Sequence, residues 1–184
     1  MSSPVINISA LEPLFAPHEE PTKHRVRAQR EGEPAQIVPI RRPSPISIAN
    51  NLRRVVREWR EADYPGASET TRELFHQWFF RDHLSTTSDG ETFPFRYYFC
   101  QREAIETLIY LMEVRGLNTI SGVIAEFGGE NREIAALGID PDEDQWPRYA
   151  FKLATGAGKT KVMSLTPDGN SGHETLSHAA TCLA

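Results

Sequence analysis

The chain has 184 residues, 39% hydrophobic and 24% charged, and its 20 basic against 25 acidic side chains leave a formal net charge of −5. That is enough chain for one domain with a core, while the acidic balance excludes a protein that grips nucleic acid over its whole surface, so any such contact must be local. No apolar run approaches a membrane span, the Met1-Ser2-Ser3-Pro4 start carries no signal-peptide pattern, and two cysteines without a CxxC pair, Cys100 and Cys182, fit a reducing, cytoplasmic setting.

Residues 1–44 hold Pro4, Pro13, Pro17, Pro21, Pro34, Pro39 and Pro43, and no helical period survives across them. The segment reads as an extended arm with local turns. Ile6 and Ile8, or Ile37, Val38 and Ile40, can form short edge strands. Lys23, His24, Arg25, Arg27 and Arg30 cluster, as do Arg41 and Arg42. A solvated tail is the expected role, with a DNA-contacting arm as the sharper alternative. His18-Glu19-Glu20 lacks a second His at helical spacing and is not read as a zinc site.

Residues 45–62 predict a helix, because Ile48, Leu52, Val55, Val56 and Trp59 recur on one face. Arg53, Arg54, Arg57 and Arg60 occupy much of the rest. They are expected to form a solvated face, although such a row can also track a phosphate backbone. Asp63-Tyr64-Pro65-Gly66 is a turn. A second helix is expected near Thr70, since Thr70-Thr71-Arg72-Glu73 has the capping-box pattern. Its stripe of Leu74, Phe75, Trp78 and Phe79 should pack the two helices together through Trp59 and Trp78. Residues 82–92 read as a polar loop.

The segment Phe93-Pro94-Phe95-Arg96-Tyr97-Tyr98-Phe99-Cys100-Gln101 leads into a third helix. Its apolar positions are Ala104, Ile105, Leu108, Ile109 and Met112, with Gly116 as the stop. Ile120, Val123, Ile124 and Phe127 predict a short helix ending at Gly128-Gly129, and Asn131–Leu137 can form another. The acidic block Asp140-Pro141-Asp142-Glu143-Asp144 has no following acid-x-Lys strand, so a solvated turn is expected there rather than a nuclease site.

Tyr149-Ala150-Phe151-Lys152-Leu153 alternates with period two and predicts a strand. It runs into Ala154-Thr155-Gly156-Ala157-Gly158-Lys159-Thr160, and Lys159-Thr160 should open a helix. Strand, glycine turn, Gly-Lys-Thr and helix make a phosphate-binding loop. Gly156 and Gly158 let the backbone curl so that N–H groups converge on phosphate oxygens. Lys159 reaches the β- and γ-phosphates, and the Thr160 hydroxyl ligates magnesium. Leu153 stands where the strict pattern has glycine. Thr166-Pro167-Asp168-Gly169-Asn170-Ser171-Gly172 then breaks the helix begun by Lys161–Leu165. Residues 166–184 are therefore expected to be foreign to the fold, the product of a frameshift or a premature end.

The Leu-Ala-Thr-Gly-x-Gly-Lys-Thr loop resembles motif I of superfamily 2 DEAD/DEAH-type helicase motors. Its nearest likeness is to the motor subunits of type I and type III restriction enzymes, the res-subunit-like restriction endonucleases. The aromatic segment followed by Gln101 is similar to the Q motif of that superfamily, and Arg41-Arg42-Pro43-Ser44-Pro45 with the helical pair resembles the N-terminal region of type III motor subunits.

The resemblance implies an α/β fold in which the arm and helical segment lead into the start of a RecA-like P-loop domain. The divisions expected are 1–44, 45–92, 93–165 and 166–184. It implies ATP and Mg2+ as cofactors, bound through Thr155, Gly156, Ala157, Gly158, Lys159 and Thr160, with Gln101 on adenine and either Phe95 or Tyr98 stacking on the base. Double-stranded DNA and a modification methyltransferase subunit are the implied partners of the whole enzyme. A complete motor needs two RecA-like domains of about 150 residues each. The RecA-like domain here is therefore expected to be incomplete, without its second acidic motif, and this chain alone is expected to be inactive. The alternative is a nucleotide-binding or DNA-binding module without turnover.

Overall fold

The computed structural model describes residues 16–26, 36–131, 138–140, 142, 144–145 and 150–165. Residues up to Pro43 form one compact unit and those from Ser44 onward another. Among the described residues no helix is long and apolar enough to cross a membrane.

In the first unit, β1 (His24–Val26) pairs antiparallel with β2 (Gln36–Val38), placing His24 opposite Val38. His24 Nδ1 lies 2.7 Å from the Ile40 carbonyl, and Arg41 pairs with Glu20 at 3.4 Å. Val26 and Ile37 stay exposed, so the ribbon buries little of its own apolar surface. Ile6 and Ile8 lie outside the described residues.

The second unit opens with α1 (Ser47–Glu61). Ile46 offers no side-chain cap, and Asn50 serves the entry instead. Its Oδ1 accepts from Ser44 N at 2.7 Å while its Nδ2 donates to Ser44 O at 2.8 Å. The expected apolar face is real, with Val56 and Trp59 buried. The arginine row is not uniformly solvated. Arg54 pairs with Glu58 at the surface, whereas Arg60 turns inward to Glu106 at 2.7 Å.

After α1, Asp63 (φ 61°) and Tyr64 (φ 57°) are left-handed without being glycine. Each such residue costs about 1–2 kcal/mol unless packing enforces it. Here Tyr64 is fully buried, with its ring 5.0 Å from Trp59 and 4.7 Å from Phe75.

Helix α2 (Glu69–Phe75) is capped by Ser68, whose Oγ accepts from Thr71 N at 3.2 Å. The cap thus lies two residues before the expected one, because Ser68 can bond the third helical N–H while Thr70 already sits within the helix. The chain continues as a wider π turn, His76–Phe80. Helices α1 and α2 meet through Trp59 and Phe75, rings 6.1 Å apart, and Trp78 packs on Phe75 from the outside. Truncating Phe75 to alanine would cost about 3–5 kcal/mol.

Residues expected as loop instead form half of a hairpin, so the boundary expected at 92/93 falls inside it. Strand β3 (His83–Thr86) pairs antiparallel with β4 (Thr92–Phe95), and Leu84 faces Pro94. Thr87 and Glu91 close the turn with three hydrogen bonds, and Gly90 takes φ 85°.

Helix α3 (Phe99–Ile109) is the centre of the unit. Ala104, Ile105, Leu108, Ile109 and, beyond the helix, Met112 are all buried as expected, but so are Phe99, Gln101 and Glu106. The helix widens into a π turn, Tyr110–Val114, before Gly116 stops it at φ 61°. Next comes α4 (Ile120–Phe127), tied to the start of α1 by Asn51 Nδ2 donating to Phe127 O at 2.8 Å. The acidic block is not simply solvated. Asp144 is buried and accepts from Ile120 N at 2.6 Å, from Ser121 N at 3.0 Å and from the Ser121 hydroxyl. Residues 132–137 and 166–184 lie outside the described residues, as does Tyr149 of the expected strand.

The described fold is therefore mixed: helices with two small antiparallel sheets. No RecA-like parallel sheet is formed by the described residues. Residues 150–154 are not in a strand, because no neighbouring strand among the described residues takes their backbone hydrogen bonds. Phe151 and Leu153 instead pack on the helical core.

Candidate functional site

The glycine loop runs from Ala154 to Gly158 and enters α5 (Lys159–Leu165). Gly156 has φ 80° and Gly158 φ 72°, a left-handed conformation that ordinary side chains resist. Ala157 N donates to Ala154 O at 3.1 Å, closing one turn. Among the described residues no backbone acceptor takes the N–H groups of Thr155, Gly156, Gly158, Lys159 or Thr160. Thr155, Gly156, Lys159 and Thr160 are exposed. Exposed N–H groups around a curled turn, followed by an ammonium and a hydroxyl, suit the oxygens of an anion.

The loop is fastened from below. Val162 and Leu165, on the inner face of α5, join the core made by Val56, Trp59, Phe75, Ala104, Ile105 and Ile109. It is also fastened from the side. Gln101, at the head of α3 and only 2% exposed, sends Nε2 to Ala157 O at 3.0 Å and to Gly158 O at 3.2 Å. Its Oε1 accepts from Tyr98 N at 2.8 Å. A Cβ at position 158 would fall on Gln101 Nε2, so the glycine serves the close approach as well as the backbone angle. Two segments singled out separately in the sequence, more than fifty residues apart, thus touch through one side chain.

The aromatic residues proposed for base stacking are placed differently from one another. Phe95, on β4, has the Lys161 ammonium 4.8 Å from its ring centre and the Tyr97 ring edge-on at 4.9 Å. Tyr98 is the residue before α3, and its ring is partly exposed. Burial pushes the Tyr97 phenol up from its ordinary value.

Behind Gln101, one turn further along α3, lies a cluster the sequence did not announce. Glu106 has no exposed surface, yet it receives Arg60 Nε at 2.8 Å, Arg102 Nε at 2.7 Å and the Tyr64 hydroxyl at 2.7 Å. Arg102 also donates to Tyr64 Oη at 2.8 Å and lies 4.6 Å over the Phe80 ring. Burial first, then the neighbouring Glu106 charge, push the Tyr64 phenol well above the usual tyrosine range. The only signal in the sequence was a Glu interrupting the apolar face of α3 four residues after Arg102. The cluster is an interior network in which both Glu106 oxygens accept hydrogen bonds.

Among the described residues no group of three or more His, Cys, Asp or Glu could hold a metal ion. A magnesium ion at the loop would take the Thr160 hydroxyl and otherwise phosphate oxygens and water, which fits its preference for few protein ligands. Comparison with protein-family models, with curated proteins and with solved structures finds no match to this chain.

Proposed function

We propose that this chain binds ATP with magnesium through Thr155–Thr160, as the phosphate-loop segment of a RecA-like domain in an ATP-driven DNA helicase or translocase of a restriction endonuclease. The observation that carries the reading is the contact between Gln101 and the loop carbonyls of Ala157 and Gly158. The loop that resembles motif I and the glutamine that resembles the Q motif are thus in direct contact. The left-handed glycines, the uncommitted loop N–H groups and the exposed Lys159 supply the chemistry that a polyphosphate needs.

Binding without turnover is the expected behaviour of this chain. Phosphoryl transfer needs a group that orients the attacking water. The buried carboxylates of the described residues are engaged elsewhere, Glu106 by two arginines and Asp144 by the start of α4. Double-stranded DNA belongs to this reading as the track of the whole motor, and a methyltransferase subunit as its partner. A DNA module built on α1 is less well supported, because Arg60 is committed to Glu106.

Calorimetric titration with Mg-ATP tests the reading. Saturable binding is expected, weakened by about tenfold or more on Lys159→Ala through loss of one charge-assisted contact. Affinity unchanged by Lys159→Ala would reject it.

A further inference from the structure

The Gln101 amide has an NH2 donor group and an acceptor oxygen, and the structure engages both ends. Nε2 meets two carbonyl oxygens, Ala157 O and Gly158 O, and Oε1 meets the Tyr98 N–H. The orientation of the amide is fixed by these partners, since a flipped amide would set Oε1 against two carbonyls and an NH2 group against an N–H. The side chain is 2% exposed, so a base edge has no path to it. Reading adenine would require Oε1 to accept from the base amino group while Nε2 donates to the ring nitrogen beside it. Gln101 can do that only by leaving all three of its present partners and coming out of the interior.

From this we infer that Gln101 is a positioning residue for the phosphate loop and not a reader of the base. The site consequently takes nucleoside triphosphates by their phosphates, with little choice among the four bases. The inference rests on the phosphate-loop reading above and widens its ligand from ATP to nucleoside triphosphates as a class. Gln101 joins the head of α3 to the loop at the two residues just before Lys159. The neighbouring Gly158 carbonyl also receives Lys161 N at 3.0 Å and Val162 N at 3.3 Å, so the same oxygen starts α5 and anchors the loop. Moving the amide moves the point from which Lys159 and Thr160 project. An aromatic ring beside the site does not restore selectivity, because every base has a π-face to stack.

The test uses the whole chain and five probes, each with magnesium: ATP, GTP, CTP, UTP and inorganic tripolyphosphate. The four nucleotides are expected to bind within about threefold of one another. Gln101→Ala is expected to weaken all five probes by a similar factor, about tenfold, because the loop is loosened for every phosphate ligand alike. The same variant should speed amide hydrogen exchange at 155–160 and leave exchange in α1 unchanged, a pattern that general destabilisation would not give. ATP binding about tenfold tighter than the other nucleotides, with that preference lost in Gln101→Ala, would overturn the inference and make Gln101 a base reader. If Gln101→Ala does not fold, the nucleotide series on the unaltered chain decides alone. No binding by any of the five probes overturns the phosphate-loop reading itself, which is a separate failure.

Discussion

Tyr64 donates its phenolic hydrogen to Glu106 at 2.7 Å from within the interior, across forty-two residues of sequence. The bond joins the turn after α1 to the middle of α3. It also holds a left-handed tyrosine in place, so backbone strain and side-chain hydrogen bonding are linked at one residue.

Alkaline pH should expose that link. The folded state keeps the Tyr64 proton well above the range in which an unfolded tyrosine loses it. The stability this contributes is fully present below the ordinary tyrosine range, near pH 10, and is lost as pH rises beyond it. Urea midpoints measured from pH 8 upward should fall steeply in that region. Tyr64→Phe should flatten the fall and lower stability at neutral pH by about 1–2 kcal/mol. An equally steep alkaline fall in the variant would assign the effect to other groups.

Glu106→Ala should be far more damaging than the loss of an exposed ion pair. It leaves two inward-turned arginines without their carboxylate, a loss of about 3–5 kcal/mol for a broken buried pair. Arg54→Ala removes an exposed pair on the same α1 helix and should change stability by no more than about 0.5 kcal/mol. Comparable denaturation midpoints for the two variants would contradict the buried network.

Asp144, the last acid of the 140–144 block, is buried against the start of α4. Asp144→Ala removes three hydrogen bonds at the start of α4 and should cost about 1–3 kcal/mol. Asp144→Asn keeps an acceptor and should cost less. Hydrogen exchange confined to 120–127 would report it, and unaltered exchange there in the alanine variant would show that the cap is dispensable.

Magnesium dependence should pass through Thr160. Chelating magnesium should weaken ATP binding to the unaltered chain by about tenfold or more. Thr160→Ala should already bind weakly and respond far less to chelation. A full magnesium response in that variant would remove Thr160 from the metal's ligands.

The helices were legible because their signals are local. The faces of α1, α3 and α4 follow from apolar spacing, and Gly116 ended α3 as its chemistry predicts. The α2 cap was misplaced by two residues because Ser68 competes with Thr70 for the same role. The β3–β4 hairpin was missed because Pro94 and the Ser-Thr-rich stretch argue against strands, although Asp89-Gly90 was the available turn signal. At the site, the glycines and Lys159 could be picked out from their spacing. The contact of Gln101 with the loop could not, since nothing in residue order says which donors will meet which carbonyls. Glu106 was hidden for the same reason: burial of a charge is decided by partners from other helices.

The π turn at Tyr110–Val114 sets an angle. An α-helix advances about 100° per residue, so the widened turn shifts the phase between the two ends of α3. At one end Gln101 faces the glycine loop. At the other, Glu113 faces the start of α2, accepting from Ser68 N at 2.5 Å and from the Thr71 hydroxyl at 2.7 Å. The widened turn lies between these two contacts. A regular helix of the same residue count would turn Glu113 by about 100° away from α2, leaving the loop end in place. The segment works as a rotational spacer, and its residue count is a constraint separate from the identity of any side chain in it.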